Sequence, residues 1–397
     1  MSATEITSTE GSGFDLNDEQ LQLKEVAARL ARDRHLPHVH EWERDRESLP
    51  DEDRTQLAEL GFLGICLPEE YGGGGRPLLD ALVVIEELAK VSMQGAWPVF
   101  EGATGPARVV HLFGTEEQKQ RLLPPVVRGE KTIAVAISEP DAGSAATDAT
   151  VKAKIVGDEV VLNGAKRWCS GAGHAEQYLV YARLGEELGA AGIGAVLVDK
   201  ETPGLTFGER ENLMGWRGVH SADMFFDDVR VPVENIIIEK GGFKRLFTAF
   251  SIERLGNSTN SLALGQAALD KTAAYVQERK QFGKEIIEFQ TIQAALADMV
   301  VQVEAARMLI YRAAVHAGTG TPVPIEASVA KCFANEMAKR VTDTAIQLLG
   351  GYGYSAEYDV ERMHRDSHGW AIAGGTPTMQ RVRIASEYLG RRFDQRR

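Results

Sequence analysis

The amino-acid sequence predicts an α+β protein with an N-terminal helical domain, a middle β-sandwich or barrel domain and a C-terminal four-helix bundle. Residues 14–131 mostly space their apolar side chains as helices do. Residues 132–238 contain short β-rich runs separated by Gly, Asp and Asn turns, which is typical of a small sandwich or barrel. Helical spacing returns in residues 239–397. A chain of 397 residues is also longer than one hydrophobic core usually accommodates, so several domains are expected.

The N-terminal domain is expected to begin with a capped helix. Between Leu23 and Leu30, apolar side chains recur at helical intervals. Asn17 or Asp18 can cap this helix, because a side-chain oxygen there accepts hydrogen bonds from the free amides of the first turn. Pro37 is expected to end or kink it. The segment before the domain, residues 1–13, resembles neither a signal nor a transit peptide and is predicted to be a disordered tail.

Composition argues against several functions. The net charge of -13 leaves no overall basic surface to neutralise phosphates, which argues against nucleic-acid binding. The three cysteines are far apart and form no CxxC pattern, so neither a disulfide framework nor a zinc site is expected. His35, His38 and His40 are close in sequence, but Pro37 interrupts the helix that would aim them together, and no metal site is predicted. No apolar run approaches the ~18 residues of a membrane span, so a cytoplasmic protein without membrane contact is expected.

Two stretches carry side chains that suit ligand binding. In AISEPDAGS, after a predicted strand, Ser138 and Ser144 offer hydroxyl groups and Gly143 permits close approach of a ligand to the backbone. Taken alone, this stretch is most simply a turn. In ERKQFG, Arg279 and Lys280 have the charge to bind a phosphate, although charged helix ends usually face water. Each motif indicates a site only in combination with others.

A third stretch, QLLGGYGYSAEY, interrupts a helical pattern at Gly350 and Gly351. No βαβ unit surrounds these glycines, so a helix C-cap is the simplest interpretation. The joint order of the motifs is more specific. SEPDAGS, NGAKRWCSG, MGWRGVHSADMFFDDVRVP, ERKQFGKEIIEFQ, QLLGGYGY and a late GGT resemble the acyl-CoA dehydrogenase family of flavoproteins, from about Phe14 to Arg391.

The resemblance implies an FAD-dependent enzyme of fatty acid metabolism that removes two hydrogens from an acyl-CoA thioester. It also implies a homotetramer, built as a dimer of dimers with one FAD per subunit, and reoxidation by an electron-transferring flavoprotein. Along the flavin and thioester it places Ile137, Ser138, Ser144, Trp168 and Ser170. At the pyrophosphate and adenosine of a neighbouring subunit's FAD it places Arg279, Phe282, Gln290, Gln347, Gly350 and Gly351. Thr376 completes the cofactor site from the C-terminal segment, with Thr378 where many relatives have glutamine.

The catalytic base of many family members is missing from its usual place. They carry a glutamate directly before the GT dipeptide, where this chain has Gly374. The Gly374 backbone amide remains, and by resemblance it polarises the thioester carbonyl and stabilises the charge that develops there. Glu253, followed by Arg254, matches the helix position at which other branches, the isovaleryl-CoA dehydrogenases among them, place their base. The sequence therefore predicts Glu253 as the base, with hydride transfer to the flavin N5.

The surroundings of Glu253 in the sequence favour this role over a helical ion pair. Positions 249, 250, 256 and 257 hold no cation, so Glu253 has no partner three or four residues away. Phe250 indicates an apolar environment, and burial there would raise the carboxyl pKa towards the range of a useful base. The predicted substrate-binding residues are Arg254, Ser144 and Glu101, the last where some relatives close the acyl pocket.

Other functions stay open at this point. Ser251 stands where many relatives have an aspartate associated with the CoA chain, which leaves an acyl-carrier-protein dehydrogenase or oxidase as an alternative. A second alternative is a relative that uses oxygen, or a desulfinase-type relative that removes a substituent. A third is a non-catalytic flavin-binding scaffold. The acyl chain length, its branching and the electron acceptor are not predicted.

Overall fold

Helices build the N-terminal part of the protein. The structure is a computed structural model that describes residues 15–391 and 393. Its first helix is capped by Asn17, whose side chain accepts a hydrogen bond from the Gln20 amide at 2.9 Å, while the Gln20 side chain accepts one from the Asn17 amide at 3.1 Å. The tail predicted at residues 1–13 lies outside the described residues. The helices are α1 (Asp18–Leu30), α2 (Val39–Asp45), α3 (Asp51–Glu59), α4 (Leu78–Val91), α5 (Met93–Thr104), α6 (Pro106–Phe113) and α7 (Glu116–Val127).

Pro37 lies between α1 and α2. A π-helical turn at Ala31–His35 continues α1, and the chain turns before α2 begins at Val39. The predicted end of the first helix is therefore confirmed. Among the described residues, none of the helices combines the length and apolar character needed to cross a membrane.

A mixed sheet forms the middle of the chain. Its strands are β1 (Ile133–Ala136), β2 (Lys152–Val156), β3 (Glu159–Ser170), β4 (Gln177–Arg183), β5 (Ile193–Asp199), β6 (Leu205–Phe207), β7 (Ser221–Pro232) and β8 (Ile236–Ile238). They are ordered β6-β7-β3-β2-β4-β5-β8, and β1 pairs parallel to β4. The long antiparallel pair of β3 and β7 loses register between Lys166 and Cys169, which leaves Arg167 and Trp168 on a bulge.

Helices return in the C-terminal part, where a small hairpin of β9 (Lys280–Gln281) and β10 (Lys284–Glu285) interrupts them. The helices are α8 (Phe243–Glu278), α9 (Gln290–Ala317), α10 (Pro324–Leu349), α11 (Asp359–Ile372) and α12 (Pro377–Tyr388). The order of helices, sheet and helices confirms the predicted α+β architecture.

The longest helix, α8, connects two apolar cores. Its later turns pack with α4 and α10 around residues such as Leu82, Leu262 and Val341. Its first turns pack with α7 and β4 around Leu122, Leu179 and Leu246. The sheet encloses a further core of its own. The later turns of α8 pack against helices, and its first turns also pack against the sheet. The turns between them therefore lie where the helices meet the sheet.

Candidate active site

The predicted base and the predicted backbone donor lie side by side. Glu253 projects from α8, and Gly374 follows the end of α11 with a φ of +66°. A Cβ atom built on Gly374 would lie 2.7 Å from Glu253 Oε2 and 3.0 Å from Oε1. The Glu253 carboxylate therefore fills the space into which a side chain at position 374 would begin to grow. A left-handed backbone at this point suits glycine, since other residues are strained there.

The electrostatics of Glu253 suit proton transfer. Its Oε2 atom is buried and accepts no hydrogen bond within the described structure. Burial raises the pKa of Glu253, and the nearby positive charges of Lys331 and Arg254 oppose that shift. A carboxylate with an unused lone pair and a raised pKa is equipped to take a proton from a bound ligand.

Two arginines lie against one aromatic ring beside this centre. The guanidinium carbon of Arg254 lies 5.8 Å from the Phe247 ring centroid, and that of Arg383, from α12, lies 5.5 Å from it. Arg254 is 4% exposed, and its Nε and Nη1 have no hydrogen-bond partner in the described structure. Burial, and next the charge of Arg383, lowers the pKa of Arg254 to about 10. The two cations form a place where an anionic group would be stabilised.

Ser251 does not face this arginine pair with a free hydroxyl. It is buried, and its Oγ donates a hydrogen bond to the Phe247 carbonyl of its own helix at 3.2 Å. Position 251 therefore supplies no carboxylate to balance Arg254, and position 383 adds a second cation. Arg383 was missed in the sequence, because it lies 129 positions from Arg254 and carries no motif.

The bulge on β3 brings several predicted flavin residues together. Trp168 adopts a φ of +59° and is 51% exposed, and the Arg167 guanidinium lies 4.2 Å from its ring centroid. The Arg167 amide donates to the Ser138 carbonyl at 2.9 Å, and Lys166 Nζ donates to the Ile137 carbonyl at 2.8 Å. Ile137 and Ser138 thus lie alongside the strand that presents Trp168.

A buried ion pair fixes the loop that follows β1. Lys166 Nζ lies 2.9 Å from Glu139 Oε1, and both side chains are almost inaccessible to solvent. Glu139 also accepts hydrogen bonds from the amides of Thr150 and Val151. The loop between Glu139 and Thr150 is closed by these bonds, and it carries Ser144 on the exposed surface.

Six other predicted cofactor residues form a separate, exposed group. Arg279 follows the last residue of α8, and its guanidinium lies 5.7 Å from the ring of Tyr352, next to the pair Gly350–Gly351. Phe282 is 94% exposed at the turn of the β9–β10 hairpin, with a φ of +53°. Gln290 and Gln347 are exposed as well. Glu253 and Arg279 are 26 positions apart, which corresponds to about 39 Å of helix, so the structure does not bring this group to the Glu253 centre of the same chain.

The C-terminal segment supplies the last predicted pair. Thr376 is the N-cap of α12, where its hydroxyl accepts a hydrogen bond from the Met379 amide at 3.3 Å. Thr378 is exposed in the first turn of that helix. Thr376 is two positions after Gly374, which lies beside the Glu253 carboxylate.

Glu101 is a second buried carboxyl, on α5. Burial raises its pKa to about 8, although a hydrogen bond from Trp97 works in the opposite direction. Trp97 in turn packs against Trp216 and Trp370, at centroid distances of 5.7 and 5.9 Å. Glu101 lines a small cavity together with Ile133, the first residue of β1, so it lies at a junction of helices and sheet.

Lys331 was also missed in the sequence. It is fully buried on α10, close enough to Glu253 for the two charges to influence each other. One signal was present: Ala327, Ala330 and Ala334 recur around it at helical spacing and are all buried, so a lysine stands on an apolar face.

Fold and site together define a class, the flavin-dependent oxidoreductases. Family models described as acyl-CoA dehydrogenase N-terminal, middle and C-terminal domains match residues 17–130, 134–229 and 240–389. The chain belongs to the acyl-CoA dehydrogenase family, whose members are oxidoreductases acting on CH–CH bonds, and its cofactor is FAD. The family predicted from the order of the motifs is confirmed.

Similar proteins span almost the whole chain. It is 38% identical over 389 residues to a 3-sulfinopropanoyl-CoA desulfinase of Paraburkholderia xenovorans, covering 97% of this chain and 99% of that protein. The structure of butyryl-CoA dehydrogenase from Megasphaera elsdenii superposes with a TM-score of 0.92 and 35% identity, covering 95% of this chain and 100% of that one. The prolyl acyl carrier protein oxidase AnaB superposes with a TM-score of 0.90 and 25% identity, covering 95% and 100%.

Proposed function

We propose that the protein dehydrogenates the α and β carbons of an acyl thioester, with Glu253 as the catalytic base. The observation that carries the proposal is the Glu253 carboxylate, held against Gly374 with one buried oxygen that accepts no hydrogen bond in the described structure. Abstraction of an α-proton needs such an oxygen in contact with the substrate. Bound FAD supplies the hydride acceptor, at its N5.

The backbone amide of Gly374 complements Glu253. As the α-proton leaves, negative charge develops on the thioester oxygen, and a fixed N–H donor stabilises that charge. Gly374 offers this donor next to the carboxylate, because both occupy the same small space. Glu253 on α8 thus takes the proton, and the Gly374 amide, in the segment after α11, stabilises the developing charge.

The described residues fit a flavin in two separate places. The exposed face of Trp168, with Ser170, Ile137 and Ser138 along the same strand region, suits a flat ring system. Arg279 presents a planar fork of donors for a pyrophosphate. About 39 Å of helix separates Arg279 from Glu253, which supports an arrangement in which Arg279 binds the FAD of a neighbouring copy.

The residues of that second group are exposed. Phe282, Gln290, Gln347, Gly350 and Gly351 accompany Arg279, and Thr376 and Thr378 complete the flavin end within the same chain. Such sharing requires an oligomer, and a homotetramer built as a dimer of dimers satisfies it. We take an electron-transferring flavoprotein as the partner that reoxidises the enzyme.

The substrate is held on the helix side of the centre. Arg254, with two unpartnered guanidinium nitrogens in the described structure, suits an anionic part of the acyl carrier, and the exposed Ser144 is the second proposed substrate contact. Glu101 lies at the closed end of the acyl pocket in this arrangement. Many relatives have, at position 251, an aspartate associated with the CoA chain, and this chain has a serine there. The acyl carrier is therefore either CoA or the phosphopantetheine arm of a carrier protein.

A second candidate is removal of a sulfinate substituent from the acyl chain. The 38% identity with the Paraburkholderia desulfinase over nearly the full chain favours it. Glu101 does not exclude it, since a carboxyl group with a pKa of about 8 is mostly protonated at neutral pH and does not repel an anionic sulfinate.

The deciding experiment is anaerobic bleaching of the flavin's visible band by a panel of acyl-CoA and carrier-bound acyl thioesters. Wild type should bleach with its substrate, and Glu253→Gln should bind the same thioester but bleach about 10²–10⁴-fold more slowly. Glu117→Gln, which changes an exposed glutamate on α7, should match wild type. Equal bleaching by wild type and Glu253→Gln would remove Glu253 as the base. Turnover of 3-sulfinopropanoyl-CoA without bleaching, in both proteins, would establish the second candidate.

A further inference from the structure

Lys331 is a lysine that the packing of three helices completely encloses. Its Nζ donates hydrogen bonds to Asn335 Oδ1 at 2.8 Å, to Asn257 Oδ1 at 3.1 Å and to the Trp370 carbonyl at 3.2 Å. These acceptors come from α10, α8 and α11, and they use all three ammonium hydrogens. Among the described residues, no carboxylate lies within 4.0 Å of Nζ, so this is not an ordinary buried ion pair.

The bonds around Lys331 hold the end of α11. Asn257 Nδ2 donates to the carbonyls of Trp370 at 3.2 Å and Ala373 at 3.5 Å. Asn335 Nδ2 donates to Asn257 Oδ1 at 2.9 Å and so fixes the orientation of that amide. The last carbonyls of a helix lack partners within the helix and carry partial negative charge, which an ammonium group stabilises. The residue directly after Ala373 is Gly374.

The same ammonium lies near enough to Glu253 for the two charges to interact. Glu253 precedes Asn257 by one turn of α8, so it lies on the face of that helix to which Lys331 is hydrogen-bonded. The titratable groups that face Lys331 are Glu253 and Arg254 from α8 and Cys332 on α10, while α11 offers only the Trp370 carbonyl. Burial lowers the pKa of Lys331 to about 7, and Glu253 opposes that shift. The positive charge of Lys331 in turn lowers the pKa of Glu253, against the effect of burial.

We propose that Lys331 is a positioning residue for the reaction: its ammonium holds the end of α11 so that the Gly374 amide faces the substrate, and its charge keeps the buried Glu253 carboxylate ionised. The inference rests on the proposed role of Glu253 as the base. Lys331 itself has no contact with the reacting atoms. Its three hydrogens are used by protein oxygens, so it acts through Glu253 and Gly374.

Two substitutions separate the two effects. Lys331→Met keeps the length and removes both the charge and the hydrogen bonds. Lys331→Gln removes the charge and keeps an amide that can donate to the Trp370 carbonyl. Lys331→Gln should disturb folding less than Lys331→Met, because it leaves fewer of the buried acceptors without a donor, and it keeps the test usable if Lys331→Met does not fold. Lys339→Met, on the same helix but partly exposed, is the matched control.

The first readout is independent of turnover. In the FAD-loaded enzyme, infrared difference spectra report the protonated Glu253 carboxyl, whose band is identified by its absence from Glu253→Gln. Removing a cation that stabilises the carboxylate should move this titration to higher pH in Lys331→Met and Lys331→Gln and leave it in place in Lys339→Met. An unchanged titration in both Lys331 variants would overturn the proposal, even if no acyl thioester were ever found to bleach the flavin.

The second readout is the pH dependence of anaerobic bleaching. Because Glu253 acts as a base only when ionised, the rising limb of the pH profile should move to higher pH in both Lys331 variants. A limb that moves by about one pH unit should slow bleaching at acid pH about tenfold. KM should change little, since Lys331 does not touch the substrate. Lys331→Met should show an additional loss at every pH that Lys331→Gln largely restores. Wild-type rates in both variants across the pH range would contradict both parts of the inference.

Discussion

The region of α8 around Glu253 and the region around Arg279, just after the end of α8, differ in how completely a single chain encloses their side chains. Around Glu253, the polar groups are enclosed, and Lys331, Asn257 and Asn335 use their hydrogen-bonding capacity on one another. Around Arg279, the side chains lie open, with Phe282 94% exposed. Most of the buried groups around Glu253 are paired, because leaving one unpaired costs about 1–3 kcal/mol, whereas Glu253 Oε2 has no hydrogen-bond partner within the described structure. In the proposed function, the base and the residues around it therefore belong to one subunit, and the proposed cofactor contacts around Arg279 are open to a neighbouring copy.

The apolar side chains exposed around Arg279 carry a free-energy cost, which burial in a subunit interface would remove. An aromatic side chain gains roughly 1.5–3 kcal/mol when it moves from water into an apolar contact. Phe282 and Tyr354, which is 86% exposed, together present a sizeable apolar surface near Arg279. This contrast predicts that substitutions at the Glu253 end change rates, whereas substitutions at the Arg279 end change cofactor retention and assembly.

The largest expected effect is that of Gly374→Ala. The new Cβ would lie 2.7 Å from Glu253 Oε2, and the φ of +66° would strain alanine, so both the carboxylate and the amide must move. Bleaching by a substrate should slow by about 10²–10³-fold, the range for loss of one fixed oxyanion donor. Stopped-flow absorbance under anaerobic conditions measures it, and flavin content should stay at the wild-type level.

Gly390→Ala is the matched control for backbone strain alone. Gly390 also has a positive φ, of +59°, but an added Cβ there meets no atom within 4 Å. It should bleach like wild type. A similar loss in both variants would show that strain in the C-terminal segment, and not contact with Glu253, governs the rate.

A smaller effect is expected from Arg279→Ala. Losing a charge-assisted bond to a phosphate costs about 1.5–3 kcal/mol, which corresponds to roughly 10–100-fold weaker flavin binding. The ratio of flavin to protein after dialysis should fall, while the bleaching rate per bound flavin stays unchanged. Lys280→Ala tests whether any cation at this end has the same effect. A fall in rate per bound flavin would show that the two ends of α8 are not independent.

The family was predicted correctly from the order of local motifs, because that order is visible in a sequence. The catalytic roles of Glu253 and Gly374 stay predictions, and the structure brings the two residues side by side. Sequence reasoning did not locate Lys331 or Arg383. Each reaches the centre through packing of α10 or α12 on α8, and helical spacing shows which face of a helix is buried without showing what lies opposite. The bulge that exposes Trp168 was equally hidden, since it arises from a register shift between two strands distant in sequence.

The smallest expected effect concerns Glu101, the buried carboxyl to which the structure gives no nearby cation among its principal interactions. Its pKa is raised from 4.5 to about 8, mainly by burial. Above pH 4.5 the unfolded chain releases this proton and the folded chain keeps it, so the folded state loses stability as pH rises towards 8. Glu101→Gln keeps an acceptor for Trp97 and removes the titration.

The Tm of Glu101→Gln should therefore equal that of wild type near pH 4.5 and exceed it at pH 8. The expected increase is a few degrees, because a given change in the free energy of unfolding shifts Tm less in a large protein than in a small one. Thermal unfolding of the FAD-loaded protein at both pH values measures the difference. Glu304→Gln, an exposed glutamate on α9, should show no such pH-dependent gain. A gain for Glu101→Gln that does not grow with pH would mean that packing, and not ionisation, sets the stability at this site. Of the two carboxyls, Glu101 and Glu253, only Glu253 would then have an ionisation state set by its surroundings, through the charges of Lys331 and Arg254.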